Sequence, residues 1–404
     1  MLYLHVPFCE SLCPYCSFNR FIYIEDQARA YYRQLRAEMR MTAALGYQFN
    51  SMYIGGGTPT ILVDELIETI QLAKNLFGIR EVSCETNPNH LTPENAQKLS
   101  PYIQRMSVGV QSFNNDMLKR MVRYDRFGSG EQILQQIKDV AGVFDFLNVD
   151  LIFNLPGQTE KMLLEEIAFA HECQANQITF YPLMSSPSVS KAMGQTLGDV
   201  NYDQEQHLYN LIVDQMSDAF KLSTVWNFGR LKPSASTSEN QMIDEYIVNY
   251  GEYIGLGSGS FSYLDGKLYV NTFSTTDYRK KIESGVMSIT SQASFGQKEQ
   301  MLYRFMMDLF GLELNKLKFM QEFGKSIDQG LGLELALMQL VNAFERNDRQ
   351  SLVLNARGRY LLLVMMREFF VGMNNIRDQA RAALPAVEKL QLCTTPTVER
   401  PVLG

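Results

Sequence analysis

Along the first 182 residues, short apolar runs alternate with amphipathic stretches. Leu2–Val6 reads as a strand, and Asp26–Leu45, apolar every three to four positions, as a helix. Met52–Ile54 reads as a strand entering Gly55-Gly56-Gly57, followed by a helix over Asp64–Phe77. Glu81–Glu85, Arg105–Gln111, Asn148–Phe153 and Gln177–Tyr181 are further strands, separated by helices over Pro93–Leu99, Gln132–Val143 and Lys161–Cys173. Strands and helices alternating at intervals of roughly 25–40 residues imply βα units around a parallel sheet. Six units fall short of a closed eight-fold barrel, so the fold class predicted is α/β, an open, partial (βα)6 TIM-like barrel over residues 1–182.

After Tyr181 the pattern changes. A helix is predicted over Asp203–Phe220, then a Ser/Pro-rich loop over Pro233–Ser238. Asp265-Gly266, between Phe-Ser-Tyr-Leu and Lys-Leu-Tyr-Val, signals a β-hairpin. Residues 183–290 are expected to extend the barrel and cover its substrate side. From Phe295 helical periodicity dominates, including Gln297–Phe310 and Leu361–Phe370, which predicts a smaller, mainly helical C-terminal domain over 291–384. The proline-containing stretch 385–404 is expected to be a mobile tail.

Composition narrows the function classes. Of 404 residues, 46% are hydrophobic and 20% charged, the balance of an ordinary globular chain. Net charge is −7, from 37 basic and 44 acidic residues, and no basic run could track a phosphate backbone. The longest apolar run, Tyr360 to Met366, is far too short for a membrane span. Met1 is followed directly by the first strand, with no charged leader or cleavage site, so a cytoplasmic location is expected. Six cysteines in a reducing compartment are not a disulfide framework, and three of them cluster.

That cluster is Cys9-Glu-Ser-Leu-Cys13-Pro-Tyr-Cys16, a C-x3-C-x2-C array just after the first strand. Three thiolates on one short loop can hold three irons of a [4Fe–4S] cluster and leave the fourth open. The alternative is a zinc ion completed by a histidine, with His5 on the strand and His90 far along the chain. Position adds weight, because barrel chemistry sits at the C-terminal ends of the strands. The second strand ends in Gly55-Gly56-Gly57-Thr58-Pro59, where missing Cβ atoms allow close backbone approach. The third ends in Cys84-Glu85-Thr86-Asn87-Pro88 and the fourth in Gly109-Val110-Gln111-Ser112, while Asp150 lies in the fifth.

Tyr3-Leu-His-Val-Pro-Phe-Cys9 with its C-x3-C-x2-C array, Tyr53-Ile-Gly-Gly-Gly-Thr-Pro59, Ser107-Val-Gly-Val-Gln-Ser-Phe113 and Asp150-Leu-Ile-Phe-Asn-Leu-Pro-Gly157 closely resemble the radical S-adenosylmethionine (SAM) enzymes of the anaerobic coproporphyrinogen dehydrogenase superfamily. The resemblance covers roughly residues 2–285, and four ordered motifs make it specific. It implies that Cys9, Cys13 and Cys16 hold a [4Fe–4S] cluster whose free iron chelates SAM. It further implies Tyr3 and Tyr15 beside cluster and adenine, with Gly56, Gly57 and Thr58 at the SAM amino group or a second SAM. Glu85, Gln111 and Arg123 would bind the methionine end, although Arg120 and Arg126 lie on the same stretch. Asp150 would take the ribose hydroxyls and Ile152 the adenine.

Within that superfamily the decarboxylating oxidase type carries a fourth cysteine, where this chain has Phe18 after Ser17. The heme-chaperone type has Tyr-Ser-Leu and Tyr-Glu-x-Ser-Asn segments, where this chain has Tyr181-Pro-Leu-Met184 and Trp226-Asn-Phe-Gly-Arg230. Those segments, with Met242-Ile-Asp-Glu-Tyr246, Gly255-Leu-Gly-Ser-Gly-Ser-Phe261 and Asn271-Thr-Phe273, are most similar to the heme-utilisation radical SAM methyltransferases (HutW/ChuW type). The chain opens on strand one without the N-terminal leader such enzymes can have. The resemblance implies heme as substrate, two SAM molecules, ring opening to anaerobilin, a flavodoxin-like or reductase electron donor, and a downstream anaerobilin reductase. The glycines at 55–57 and 255–259 are the candidate support for a paired-SAM pocket, or else tight turns. His90, His171 and His207 are candidate axial ligands, and Trp226 a candidate stacking residue. The 21 methionines suit a soft apolar pocket or ordinary core filling. Cys84, Cys173 and Cys393 have no spacing partner.

Overall fold

The computed structural model describes residues 1–231 and 251–390. The expected loop at Pro233–Ser238, the segment Met242–Tyr246 and the tail beyond residue 390 lie outside the described residues. Six parallel strands form the centre of the main sheet: β1 (Leu2–Val6), β2 (Ser51–Gly56), β3 (Glu81–Thr86), β4 (Arg105–Gln111), β5 (Phe146–Phe153) and β6 (Gln177–Pro182). They pair in chain order, so their C-terminal ends lie along one edge. Helices Glu25–Ala44, Val63–Phe77, Pro93–Leu99, Gly130–Asp139 and Glu160–Glu172 connect them. The first helix shows why: Ala28, Tyr31, Tyr32, Leu35, Met39 and Thr42 are buried on one stripe, while acidic Glu25 and Asp26 favour its positive N-terminal end.

The sheet does not stop at six strands. β7 (Phe220–Leu222) and β8 (Asn227–Arg230) add antiparallel beyond β6, and β9 (Ile254–Leu256) adds parallel outside β1. Among the described residues the order β9-β1-β2-β3-β4-β5-β6-β8-β7 is open: its two edge strands do not pair with each other. The helix expected over Asp203–Phe220 is shorter, a 3-10 turn at Tyr202–Gln204 followed by Glu205–Met216, and Phe220 begins β7. The Asp265-Gly266 hairpin is present between Phe261–Leu264 and Lys267–Asn271, with both turn residues at positive φ (48° and 66°).

The C-terminal region carries a small antiparallel sheet among its helices, Glu313–Asn315, Ser351–Leu354 and Phe344–Asn347, paired in that spatial order. Its elements run helix, strand, three short helices, then a two-strand hairpin. Helix Ala356–Ala382 is far longer than the Leu361–Phe370 segment seen in the sequence. The start of the expected tail is a short helix, Ala386–Leu390, whose Glu388 carboxylate accepts from Ser274 Oγ and Thr276 N (both 2.9 Å). No described helix is long and apolar enough to cross a membrane.

Candidate active site

The cysteine loop is tied at its neck. Phe8–Cys9 pairs in parallel with Phe21–Ile22, and Phe21 N donates to Pro7 O. Inside it, Cys16 N donates to Cys13 O (3.2 Å), and the Arg20 guanidinium donates to the same carbonyl (2.5 Å). The loop leans on the glycine turn after β2, where Thr58 N donates to Phe8 O (2.7 Å). A Cβ on Gly57 would lie 2.5 Å from that oxygen and 2.7 Å from Phe8 N, both backbone atoms that cannot swing aside. Gly57→Ala is therefore expected to cost about 2 kcal/mol of stability by overpacking, and to lower iron loading by shifting Cys9. Melting and iron content of the reconstituted variant check this; an unshifted melt with full iron would refute it.

Two buried guanidiniums flank the three sulfurs. Arg123 donates to Cys13 Sγ (3.5 Å) and to Tyr15 OH (3.4 Å), and Arg20 lies beside all three cysteines. Among the described residues neither is in an ion pair with a carboxylate. Buried cations need compensating anions, and thiolates are the groups at hand. In the metal-free chain, burial first and then the charge of Cys16 push the Cys9 thiol up to about 12. Three thiolates beside two buried cations fit the anionic ligand set of a cluster. They do not fit a histidine-completed zinc ion. Among the described residues no three or more His, Cys, Asp or Glu converge on a single-ion site, and both histidines are engaged. His90 Nε2 pairs with Glu10 (3.2 Å). His5 is buried, with Nε2 2.8 Å from Asn19 O and Nδ1 2.9 Å from Tyr3 OH.

A carbonyl only accepts, so His5 Nε2 carries the proton and Nδ1 accepts from Tyr3. Burial, with a smaller contribution from Arg377, lowers the His5 pKa to about 4 against the pull of the Asn19 carbonyl. The unfolded chain takes up this proton near pH 6.5. Stability is thus full above pH 6.5 and falls on acidification towards pH 4, by on the order of 3 kcal/mol. Urea unfolding between pH 7 and 4 should show this slope in the wild type and lose it in His5→Gln. An identical slope in the variant would assign it to other groups.

The strand ends open onto one cavity of about 910 Å³. All of the candidate residues Tyr3, Cys9, Cys13, Tyr15, Cys16, Gly56, Gly57, Thr58, Glu85, Gln111, Arg123, Asp150 and Ile152 line it. Glu85 accepts from Tyr53 OH (2.8 Å) and Gly56 N (3.0 Å), and a Cβ on Gly55 would strike its carboxylate. Gly57 N and Thr58 N are donated to Val6 and Phe8 carbonyls. The turn therefore has no N–H to offer a ligand; an ammonium suits it better than a carboxylate does. Gln111 sits at positive φ (73°) at a bulge between β4 and β5, which re-aims its side chain. The next residues are clamped by Glu166, which accepts from Ser112 Oγ, Phe113 N and Asn114 N. Val122 at φ 59° ends helix Asn115–Arg120 and turns Arg123 inward. Arg126 instead faces Glu10 near the surface, and Arg120 bonds to Leu197 O. Asp150 accepts from Ser107 Oγ and Asn148 Nδ2 (both 2.7 Å), and the chain continues through Thr179 to Asn227.

Several candidates fall elsewhere. Gly255 and Gly257 are close-packed, against Phe261 O and His5 O respectively, and of that segment only Gly259 reaches the cavity wall. His90, His171 and His207 do not line the cavity; His171 bonds to Gln215 O and His207 to Glu160. Trp226 lines it but is 1% exposed, packed edge-on against Phe310 at 4.6 Å. Cys84 and Cys173 are buried in the fold, and Cys393 lies outside the described residues. Sequence reasoning missed Arg20 and Arg377, and gave His5 only as a possible zinc ligand. Of the two arginines, Arg20, four residues after the last cysteine, stood near a motif, and Arg377 did not.

Residues 3–170 match the family model described as the radical SAM superfamily. The chain is thus like radical SAM proteins in the N-terminal region that carries the cysteine loop and the strand ends. Its HemN-like fold is shown by the solved coproporphyrinogen III oxidase (HemN) of Escherichia coli, with a TM-score of 0.75 at 18% identity, covering 93% of this chain and 89% of that one. A heme chaperone HemW of Bacillus subtilis (strain 168) is 26% identical, across 81% of this chain and 87% of the relative. An anaerobilin synthase of Escherichia coli O157:H7 is also 26% identical, across 70% of this chain and 65% of the relative. The radical SAM match over residues 3–170 implies a [4Fe–4S] cluster and SAM as the cofactors of this chain.

Proposed function

We propose that this radical SAM protein degrades heme without oxygen, transferring a SAM-derived methyl group to the porphyrin, opening the macrocycle to the linear tetrapyrrole anaerobilin and releasing iron. One observation carries the reading: the cavity that starts at the cysteine loop and the polar strand ends continues, without a break, to an apolar wall from the C-terminal region. Met306, Met338, Met365, Phe369, Phe370 and Met373 line the cavity from that region. A large, flat, apolar substrate there would lie over the residues assigned to SAM, as chemistry on it requires.

Cys9, Cys13 and Cys16 would hold the cluster, offset in charge by Arg20 and Arg123. Glu85, Gln111 and Arg123 would take the methionine end of SAM, Asp150 the ribose, and Ile152 the adenine, with Tyr3 and Tyr15 alongside. Gly56, Gly57 and Thr58 would face the SAM amino group or a second SAM. Cluster and SAM together supply one-electron cleavage of the sulfonium; the chain orients the reactants and excludes water from them. A flavodoxin-like or reductase donor would supply the electron, and an anaerobilin reductase would take the product.

The relatives named heme chaperones favour a second reading, in which heme is bound and handed on intact. Anaerobic incubation of cluster-loaded protein with heme, reductant and methyl-labelled SAM separates the two. Mass spectrometry should find a labelled linear tetrapyrrole, alongside S-adenosylhomocysteine and 5′-deoxyadenosine. Unlabelled heme recovered intact from a preparation that does cleave SAM would establish the chaperone reading instead.

A further inference from the structure

Along one inclined row, with Phe370 and Asn374 beside it, helix Ala356–Ala382 meets the cavity. Leu361, Met365, Phe369, Met373 and Arg377 all line it, each four residues after the last. Side chains four apart form a ridge inclined to the helix axis, so the row is a strip that rises about 24 Å along it. Four of its members are apolar and the fifth, at one end, is a guanidinium. That guanidinium has a defined place: it lies over the rings of Phe18 (5.1 Å) and Phe261 (5.3 Å) and donates to Asn374 Oδ1 (2.5 Å). Asn374 is itself fixed by donating to Met184 O (2.7 Å). Among the described cavity-lining residues the other two arginines, Arg20 and Arg123, both stand beside the cysteine sulfurs. Phe18 follows Cys16 by two residues, so the cationic end of the strip is the end next to the cysteine loop.

An apolar strip that ends in one oriented cation matches an amphiphile whose anionic groups are gathered on one edge. We infer that Arg377 binds a side-chain carboxylate of the tetrapyrrole and sets its orientation, the macrocycle lying along Met365, Phe369 and Met373 and its carboxylate edge beside the cysteine loop. This deepens the heme reading and rests on it. A guanidinium pairs with a carboxylate by two parallel N–H···O bonds, a geometry a neutral ester cannot reproduce at equal strength.

The test compares heme with its dimethyl ester, titrated anaerobically by Soret absorption into cluster-loaded protein. Wild type is expected to bind heme about tenfold tighter than the ester, from a charge-assisted pair. In Arg377→Gln the preference should vanish through loss of heme affinity, with the ester's affinity unchanged; Arg377→Lys should restore part of it. The ratio is internal to each variant, so partial misfolding lowers both affinities alike. A preference retained in Arg377→Gln, or equal losses for both ligands, overturns the assignment of Arg377 and leaves heme binding standing. Wild-type protein that binds neither ligand overturns the tetrapyrrole reading itself, and this inference with it.

Discussion

Alanine at Cys9, Cys13 or Cys16 is expected to take iron in anaerobically reconstituted protein from about four per chain to near zero. The broad thiolate-to-iron absorption should go with it. Two remaining thiolates in a loop this short cannot hold the cluster, and no other cysteine among the described residues can replace the third. Cys84 and Cys173 are fully buried in the fold, their thiols donating to the backbone carbonyls of Glu85 and Ala170. Alanine at either should therefore leave iron content unchanged. The buried cations make a further distinction. Without thiolates opposite them, Arg20 and Arg123 keep their desolvation cost and lose their compensation. Each cysteine variant should thus also melt lower than the reconstituted wild type. Full iron in any one of the three variants, or its loss in Cys84→Ala, would contradict the assignment.

The parallel strands were legible because buried apolar residues recur at alternate positions, as in Leu147, Val149, Leu151 and Phe153 of β5, and the intervening helices because their stripes recur at the helical period. β9 was not: three residues, Ile254, Gly255 and Leu256, carry no period, and their pairing with β1 spans most of the chain. Ile289–Ser294 is a strand exposed along its whole length, held by its pairing with Lys267–Asn271 rather than by burial, so no alternation marks it. The cysteine array was legible because its information is local spacing. What makes it chemically reasonable was hidden, since nothing in the sequence distinguishes buried Arg20 from a surface arginine. The glycine triplet was legible as a close approach but with the wrong neighbour in view. Its missing Cβ atoms admit Glu85, His5 and Phe8 before any ligand.

Asp150→Ala is expected to weaken SAM binding by about 4 kcal/mol, close to a thousandfold, from two lost hydrogen bonds of about 2 kcal/mol each to a charged acceptor. The carboxylate is held ready for this: Oδ2 accepts from Ser107 Oγ and Oδ1 from Asn148 Nδ2, and Asn148 is fixed in turn by Ser107 and Thr179. Ser107 and Asn148 both donate to it, and an ionised carboxylate only accepts, which complements the donors of a ribose diol. This makes Asp150→Asn an informative companion. Its amide would set an N–H₂ against one of two donors, so the isosteric change should cost nearly as much SAM affinity as alanine does. A residue that merely filled space would tolerate asparagine and not alanine. Anaerobic equilibrium dialysis with labelled SAM on cluster-loaded protein reads both variants, and iron content shows that the cysteine loop is intact. Wild-type SAM affinity in Asp150→Ala with full iron would place the ribose elsewhere in the cavity.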